Sequence, residues 1–249
     1  MVSAIKDIEY NLFMNLLVLK AENIKHNLAT VAGRQLEHLI YVQKYTIGDS
    51  IRVGQLDGKI GTGVILALNE TSATLKVTLE KCPPPGIPLT LVLALPRPKM
   101  LRRVLQSISS LGVKELYLVN CHRVEKSFWQ SPLLKKEAIE EQLILGLEQA
   151  RDTIMPKVHI RKLFKPFVED ELSGIINGTE AIVAHPNSPE PCPMDLQQPG
   201  TLAIGPEGGF ISYEVDKLAS IGFSQVHLGC RILRVETAVP VLISRLYPA

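Results

Sequence analysis

The chain carries almost no excess charge. Its 27 Lys and Arg residues against 25 Asp and Glu leave +2 over 249 residues. A protein that grips nucleic acid by bulk charge shows more than that, so any such site must be a local patch. The balance is even along the chain. Residues 1–88 hold nine basic and eight acidic residues, and residues 89–249 hold eighteen and seventeen. Long hydrophobic runs are absent too. The longest uncharged apolar stretches, near 12–19 and 87–96, fall short of the ~20 residues that span a bilayer. Asp7 and Glu9 stand where a signal peptide would be basic, so a cytoplasmic protein is expected. The four cysteines, Cys82, Cys121, Cys192 and Cys230, show no C-x-x-C and no Cys/His pairing. That disfavours structural zinc, and metal in general is not expected. Disulfides are disfavoured in a reducing compartment, so the expectation is four buried thiols. No Gly-Lys-Ser/Thr phosphate loop occurs, and no G-x-G-x-x-G follows a first strand, which argues against a dehydrogenase.

What is present is a chain with 46% hydrophobic and 21% charged residues, enough for a packed core. Two textures divide it. Residues 14–81 read as short β segments with turns: 15–19, 50–53, an Asp57-Gly58 turn, 61–68 and 74–79, with one helix over 31–43. That pattern suggests a small β-barrel. Residues 1–13 read as an upstream extension, or translation begins at Met14. Residues 82–88 are a Pro-rich linker. Residues 89–249 then alternate strand and helix. Strands are expected at 89–95, 115–119, 158–163, 181–184, 201–204 and 225–228. Helices are expected at 99–111, 134–151, 167–176, 212–221 and the C-terminus. A loop spans 185–200. This is an α/β domain with a mostly parallel sheet, which binds ligands beyond the C-terminal ends of its strands.

Two of those strand ends carry the chemistry. Leu202-Ala203-Ile204-Gly205-Pro206-Glu207-Gly208-Gly209-Phe210 runs from a buried strand into a Gly-rich loop and then a helix. Glycines there let the backbone approach a ligand or take positive φ, although an ordinary tight turn reads equally well. Leu228-Gly229-Cys230-Arg231-Ile232-Leu233-Arg234-Val235-Glu236 follows another strand. Pro240 belongs in a helix's first turn, so the last helix is expected to start near Thr237. Residues 230–236 are then a loop in which Arg234 and Glu236 can face one site. An Arg–Glu pair that merely pins the loop is the plainer alternative.

IGPEGGF followed by LGCRILRVETA resembles the RsmE family of 16S ribosomal RNA (uracil-N3) methyltransferases, of the SPOUT class. The likeness covers most of the chain. It implies an N-terminal PUA-like, RNA-binding β-barrel over 14–81, where Arg34, His38-Leu39 and Gly48-Asp49 fit the pattern. It implies a SPOUT methyltransferase domain over 89–249 with a trefoil knot, which no periodicity would suggest. It also implies a homodimer. The cofactor would be S-adenosylmethionine. One wall of its site would be Ile204, Gly205, Glu207, Gly208 and Gly209, the other Leu228, Gly229, Cys230, Ile232 and Leu233. Glu236 would act as base or positioner at uracil N3, and Arg234 would stabilise charge on the ring oxygens. The partner would be 16S rRNA or the small ribosomal subunit. The sequence departs from the family pattern at Ser107, Ser110, Asp152, Cys230 and Val235.

RNA-facing candidates are local. Arg97, Lys99, Arg102 and Arg103 open the second domain, the last three on one helical face. Arg123 and Lys126 follow a strand end, and Arg34 and His38 lie in the first domain. A solvated charged face is the plainer reading of such runs. His185-Pro186 follows another strand end and fits either a site wall or a turn. Two further functions remain open at this point. One is a non-catalytic RNA-binding or ribosome-assembly module on a methyltransferase scaffold. The other is a methyltransferase with a changed RNA target.

Overall fold

The computed structural model describes residues 15–248. The segment 1–13 and the alternative start at Met14 lie outside the described residues. Two compact units are present. Among the described residues, one comprises 15–84 with 147–155, the other 85–146 with 156–248.

The first unit is a curled six-stranded sheet. Its strands are β1 (Leu17–Leu19), β2 (Ile24–Lys25), β3 (Leu28–Val31), β4 (Ser50–Gln55), β5 (Ile60–Leu68) and β6 (Ala73–Lys81), in the order β1-β4-β5-β6-β3-β2. All pairs are antiparallel except β1 with β4. Alternate residues such as Ile51, Val53, Leu75 and Val77 point into one core, as the period of a strand dictates. The β2–β3 hairpin is absent from the sequence reading. Its turn is made by His26 and Asn27, both with positive φ, and Asn tolerates that region better than most residues. Val31 therefore pairs with Ala73 and is not helical. Helix α1 (Gly33–Glu37) starts two residues later than expected and widens into a π-turn over His38–Val42.

Residues 147–155 complete this unit through polar contacts. Glu148 is only 3% exposed. It accepts from Arg34 Nη2 at 2.7 Å and Gln35 Nε2 at 2.8 Å. Burial pushes its carboxyl above the usual range, and Arg34 and Gln35 pull it back. Asp152, one of the departures, is buried and accepts the backbone N–H of Thr153 and Ile154. Arg34→Ala should cost about 2 kcal/mol at neutral pH, because it strands a buried carboxylate whose partner was itself partly solvated. The loss has a definite pH sign. A carboxyl whose folded pKa is raised stabilises the fold below its unfolded pKa and loses that contribution as pH rises through the folded value. The variant's deficit therefore shrinks in mild acid and grows toward alkaline pH. Urea titrations across that range measure it, and a pH-independent deficit would contradict the assignment.

The second unit holds a seven-stranded, wholly parallel sheet in the order β11-β13-β10-β12-β7-β8-β9. Its strands are β7 (Leu89–Ala94), β8 (Glu115–Val119), β9 (Lys157–Arg161), β10 (Glu180–Ala184), β11 (Glu190–Pro191), β12 (Gly200–Ile204) and β13 (Ser224–His227). The short β11 lies where only loop was expected. Its helices are α2 (Pro98–Ser110), α3 (Lys136–Ala150), α4 (Phe164–Pro166), α5 (Ser173–Ile175), α6 (Ser212–Ser220) and α7 (Val235–Leu246), and a π-turn over Phe167–Leu172 joins α4 to α5. Helix α3 runs from the second unit into the segment that belongs to the first. Every residue of β12 is buried, as in a strand covered on both faces. Helix α2 meets α3 at very short range. Ser109 Oγ donates to the Leu143 carbonyl at 2.8 Å, and Ser110 Oγ donates to that of Gly146 at 3.0 Å. Ser110, another departure, is thus a helix-packing residue.

Candidate active site

All seven strands run parallel, so their C-terminal ends share one edge, and a cleft of about 700 Å³ opens there. It is built from the segments that follow β7, β10, β12 and β13, together with the start of α7.

The loop after β12 supplies Ile204, Gly205, Glu207, Gly208 and Gly209. Its glycines serve the loop itself before any ligand. A Cβ on Gly205 would sit 2.9 Å from the Phe210 backbone nitrogen, and one on Gly208 would sit 3.0 Å from the Arg123 side chain. Gly209 has φ +74 and its N–H donates to the Pro206 carbonyl. Glu207 accepts the N–H of Arg97, the residue that caps α2, at 2.9 Å. Arg123 donates to the Gly208 carbonyl, so this RNA candidate is a clamp on the loop. Behind it, buried Glu214 accepts the N–H of His122 at 2.7 Å and of Ile211 at 3.0 Å. That carboxylate ties the segment after β8 to the start of α6. Neighbouring Cys121 is buried, and burial with Glu214 beside it pushes its thiol well up.

The segment after β13 supplies Leu228, Gly229, Ile232 and Leu233. Gly229 has φ +106, which L side chains resist, and its N–H donates to His227 Nδ1 at 2.8 Å. Cys230 is exposed and stands between Gly229 and Arg231, which both line the cleft. Cys82 is exposed as well, so only Cys121 and Cys192 are buried thiols.

Helix α7 begins at Val235, two residues before the expected Thr237. Arg234 is its extended N-cap residue (φ −68, ψ 154), and Glu236 lies in the first turn. Because Arg234 is not helical, both side chains can still reach one space, and both line the cleft. Pro240 falls in the second turn, not the first. It has no N–H to give, so the Glu236 carbonyl lacks its usual helical donor.

His185 and Pro186, after β10, also line the cleft. His185 Nδ1 is buried and has no hydrogen-bond partner among the described residues. The only sequence signal for it is weak, a histidine at a strand end. Arg97 lines the cleft, while Lys99, Arg102 and Arg103 are exposed along α2. Arg34 and His38 belong to the other unit. Arg34 is held by Glu148 with its side chain 38% exposed, and His38 is 5% exposed. Among the described residues, no group of three His, Cys, Asp or Glu could hold a metal, and no helix is long and apolar enough to cross a membrane.

A model of the RNA methyltransferase domain matches residues 83–247. The chain belongs to the RNA methyltransferase family. It is similar to ribosomal RNA small subunit methyltransferase E of Treponema pallidum, 30% identical over 234 residues that cover 90% of this chain and 87% of the relative. Among solved structures, it resembles a Legionella pneumophila protein in complex with the bound cofactor SAM. The TM-score is 0.73 at 21% identity, over 93% of this chain and 96% of that one. It also resembles a ribosomal RNA small subunit methyltransferase E of Neisseria gonorrhoeae bound to S-adenosyl methionine. There the TM-score is 0.69 at 22% identity, over 93% and 96%. Both solved proteins share the fold. The matched methyltransferase domain contains every residue of the cleft.

The residues present suit S-adenosylmethionine. Ile204, Phe210, Leu233 and Leu242 give the cleft apolar walls. The unpaired His185 Nδ1 offers a polar contact. The volume lies in the range of small-molecule sites.

Proposed function

We propose that the protein transfers a methyl group from S-adenosylmethionine to N3 of a uridine in 16S ribosomal RNA. The observation that carries this reading is the convergence of the two strand-end loops with Arg234 and Glu236 on one cleft. Family membership and the named relatives support the substrate class. The cofactor supplies an activated methyl group. Ile204, Leu228, Leu233 and the backbone of both loops would hold it, with His185 Nδ1 as a polar contact. Uracil N3 carries a proton and is a poor nucleophile until that proton leaves. Glu236 would accept the N3 proton and Arg234 would balance the negative charge spread over O2 and O4, so that N3 could take the methyl group as its bond to the sulfonium sulfur breaks and S-adenosylhomocysteine leaves. The cleft's part is to hold acceptor and donor in line.

Two of the departures from the family pattern, Ser110 and Asp152, fall outside this machinery, while Val235 lines the cleft between Arg234 and Glu236. Ser110 and Asp152 satisfy backbone groups, and Val235 is buried as the first residue of α7. That favours an active enzyme over a non-catalytic scaffold. We read the finer architecture in the same way. Residues 14–81 form a PUA-like barrel, 82–88 a linker and 89–249 a SPOUT domain. Its trefoil knot lies in the segments after β12 and β13. The active form is a cytoplasmic homodimer, supported by Ile232 at 82% and Val241 at 41% exposure beside the cleft.

Calorimetric titration with S-adenosylmethionine, with NAD as control, tests the cofactor. At a hundredfold excess over Kd, the ligand should stabilise the fold by about 2.7 kcal/mol. Incubation with small-subunit RNA should yield N3-methyluridine. Binding of neither compound, or methyl transfer to another atom, would overturn the reading.

A further inference from the structure

A second groove, of about 490 Å³, lies on the same edge of the parallel sheet, beyond the C-terminal ends of β8 and β9. Asn120, His122, Lys126, Trp129, Lys162 and Phe164 give it its character. Trp129 stands on a 3₁₀ turn over Lys126–Gln130 and is partly exposed. Its Nε1 donates to Asn120 Oδ1 at 2.8 Å, so the ring is held in place. Asn120 is anchored in turn, because its N–H donates to the Arg161 carbonyl at 2.9 Å. Phe164 adds a second partly exposed aromatic face. Lys126 and Lys162 are exposed cations, and no carboxylate lines the groove.

The groove adjoins the candidate active site. The Phe164 and Phe210 rings have centroids 6.5 Å apart, and Phe210 lines the cleft. Arg123, between the two, holds the Gly208 carbonyl. Fixed aromatic faces flanked by cations suit single-stranded nucleic acid, whose bases stack while its phosphates meet the lysines. A uridine drawn into the cleft brings a neighbouring nucleotide with it, and this groove is the neighbouring space.

We propose that the β8–β9 groove receives an unpaired nucleotide flanking the target, with its base against Trp129 and its phosphate between Lys126 and Lys162. This rests on the RNA methyltransferase reading above. It adds a site outside the methyl-transfer cleft that selects for unpaired RNA.

Trp129 is the sole tryptophan in the chain, so its fluorescence reports on this groove alone. Titration of the full chain with hexauridylate should quench it saturably. Trp129→Ala should weaken binding of the same labelled oligonucleotide roughly 5- to 150-fold, the worth of one base–aromatic stack. The double variant Lys126→Gln, Lys162→Gln should lower the slope of log K against log salt by about 1.4, some 0.7 for each lysine that no longer neutralises a phosphate. A merely structural role would leave that slope unchanged. S-adenosylmethionine binding should be retained in every variant, which shows that the cleft is intact. Absent quenching, or variants with unchanged affinity and slope, would overturn the proposal. Variants that methylate ribosomal RNA with unaltered KM would overturn it while leaving the catalytic reading in place. A wild-type protein that binds no S-adenosylmethionine and transfers no methyl group would remove the catalytic reading, and this proposal with it.

Discussion

Arg234→Ala should lower the rate of methyl transfer roughly 10²- to 10³-fold and leave S-adenosylmethionine affinity nearly unchanged. The magnitude is that of deleting one preorganised donor aimed at developing charge. The variant tests chemistry and not folding. Arg234 makes no side-chain cap bond, and the caps it does provide come from its carbonyl, which accepts the N–H of Thr237 and Ala238. Alanine keeps that carbonyl. Arg234→Lys should recover only part of the rate, because an ammonium is a point charge without the planar fork of a guanidinium. Single-turnover rates together with calorimetric affinities separate the two quantities. A variant with a wild-type rate would remove Arg234 from the mechanism, and one that no longer binds the cofactor would make it a cofactor ligand.

Gly146→Val should destabilise the second unit by about 3 kcal/mol, and Gly146→Ala should also destabilise it. Helix propensity alone predicts the opposite sign for alanine, a gain of about 0.8–1 kcal/mol in a helix interior. Packing decides the matter. A Cβ at Gly146 would lie 2.4 Å from the Gln106 backbone carbonyl oxygen and 2.7 Å from Ser109 Cβ. The obstacle is backbone, so α2 and α3 must separate. Separation also breaks the bonds from Ser109 and Ser110 to the α3 carbonyls. Overpacking of this kind costs about 1–3 kcal/mol or more. Denaturant midpoints measure both variants, and a stabilised Gly146→Ala protein would show that the helices slide apart cheaply.

Much of the α/β unit was legible in the sequence because its central strands are largely apolar runs separated by amphipathic helices. Leu89–Ala94 and Gly200–Ile204 announce themselves in this way, and a parallel sheet places their ends together. The first unit is harder to read. Its β2–β3 hairpin is short and turns on His26 and Asn27, which no Gly or Pro marks. Its closing residues come from 147–155, and no local pattern reveals a partner more than a hundred positions away. The cleft's loops are legible as motifs, but the reason for each glycine is not. Gly205 and Gly208 are small because Phe210 and Arg123 occupy the adjoining space, a tertiary fact. The start of α7 differs from expectation because Pro240 normally marks a first turn. The helix tolerates it one turn later and leaves the Glu236 carbonyl open. Arg34 has the sequence character of a surface cation, and only the fold shows that it pairs with the buried Glu148.

The assignment of residues 147–155 to the first unit bears on how the chain is made. During synthesis the amino-terminal strands leave the ribosome first, yet Glu148, Asp152 and Thr153 belong to their unit and are added some sixty residues after Pro84. Until then Arg34 has no carboxylate to meet. The unit therefore lacks these contacts while β7, α2 and β8 are translated. A gene fragment that stops at the Pro-rich linker encodes all of the strands and lacks the residues that meet Arg34, Gln35 and Gly58.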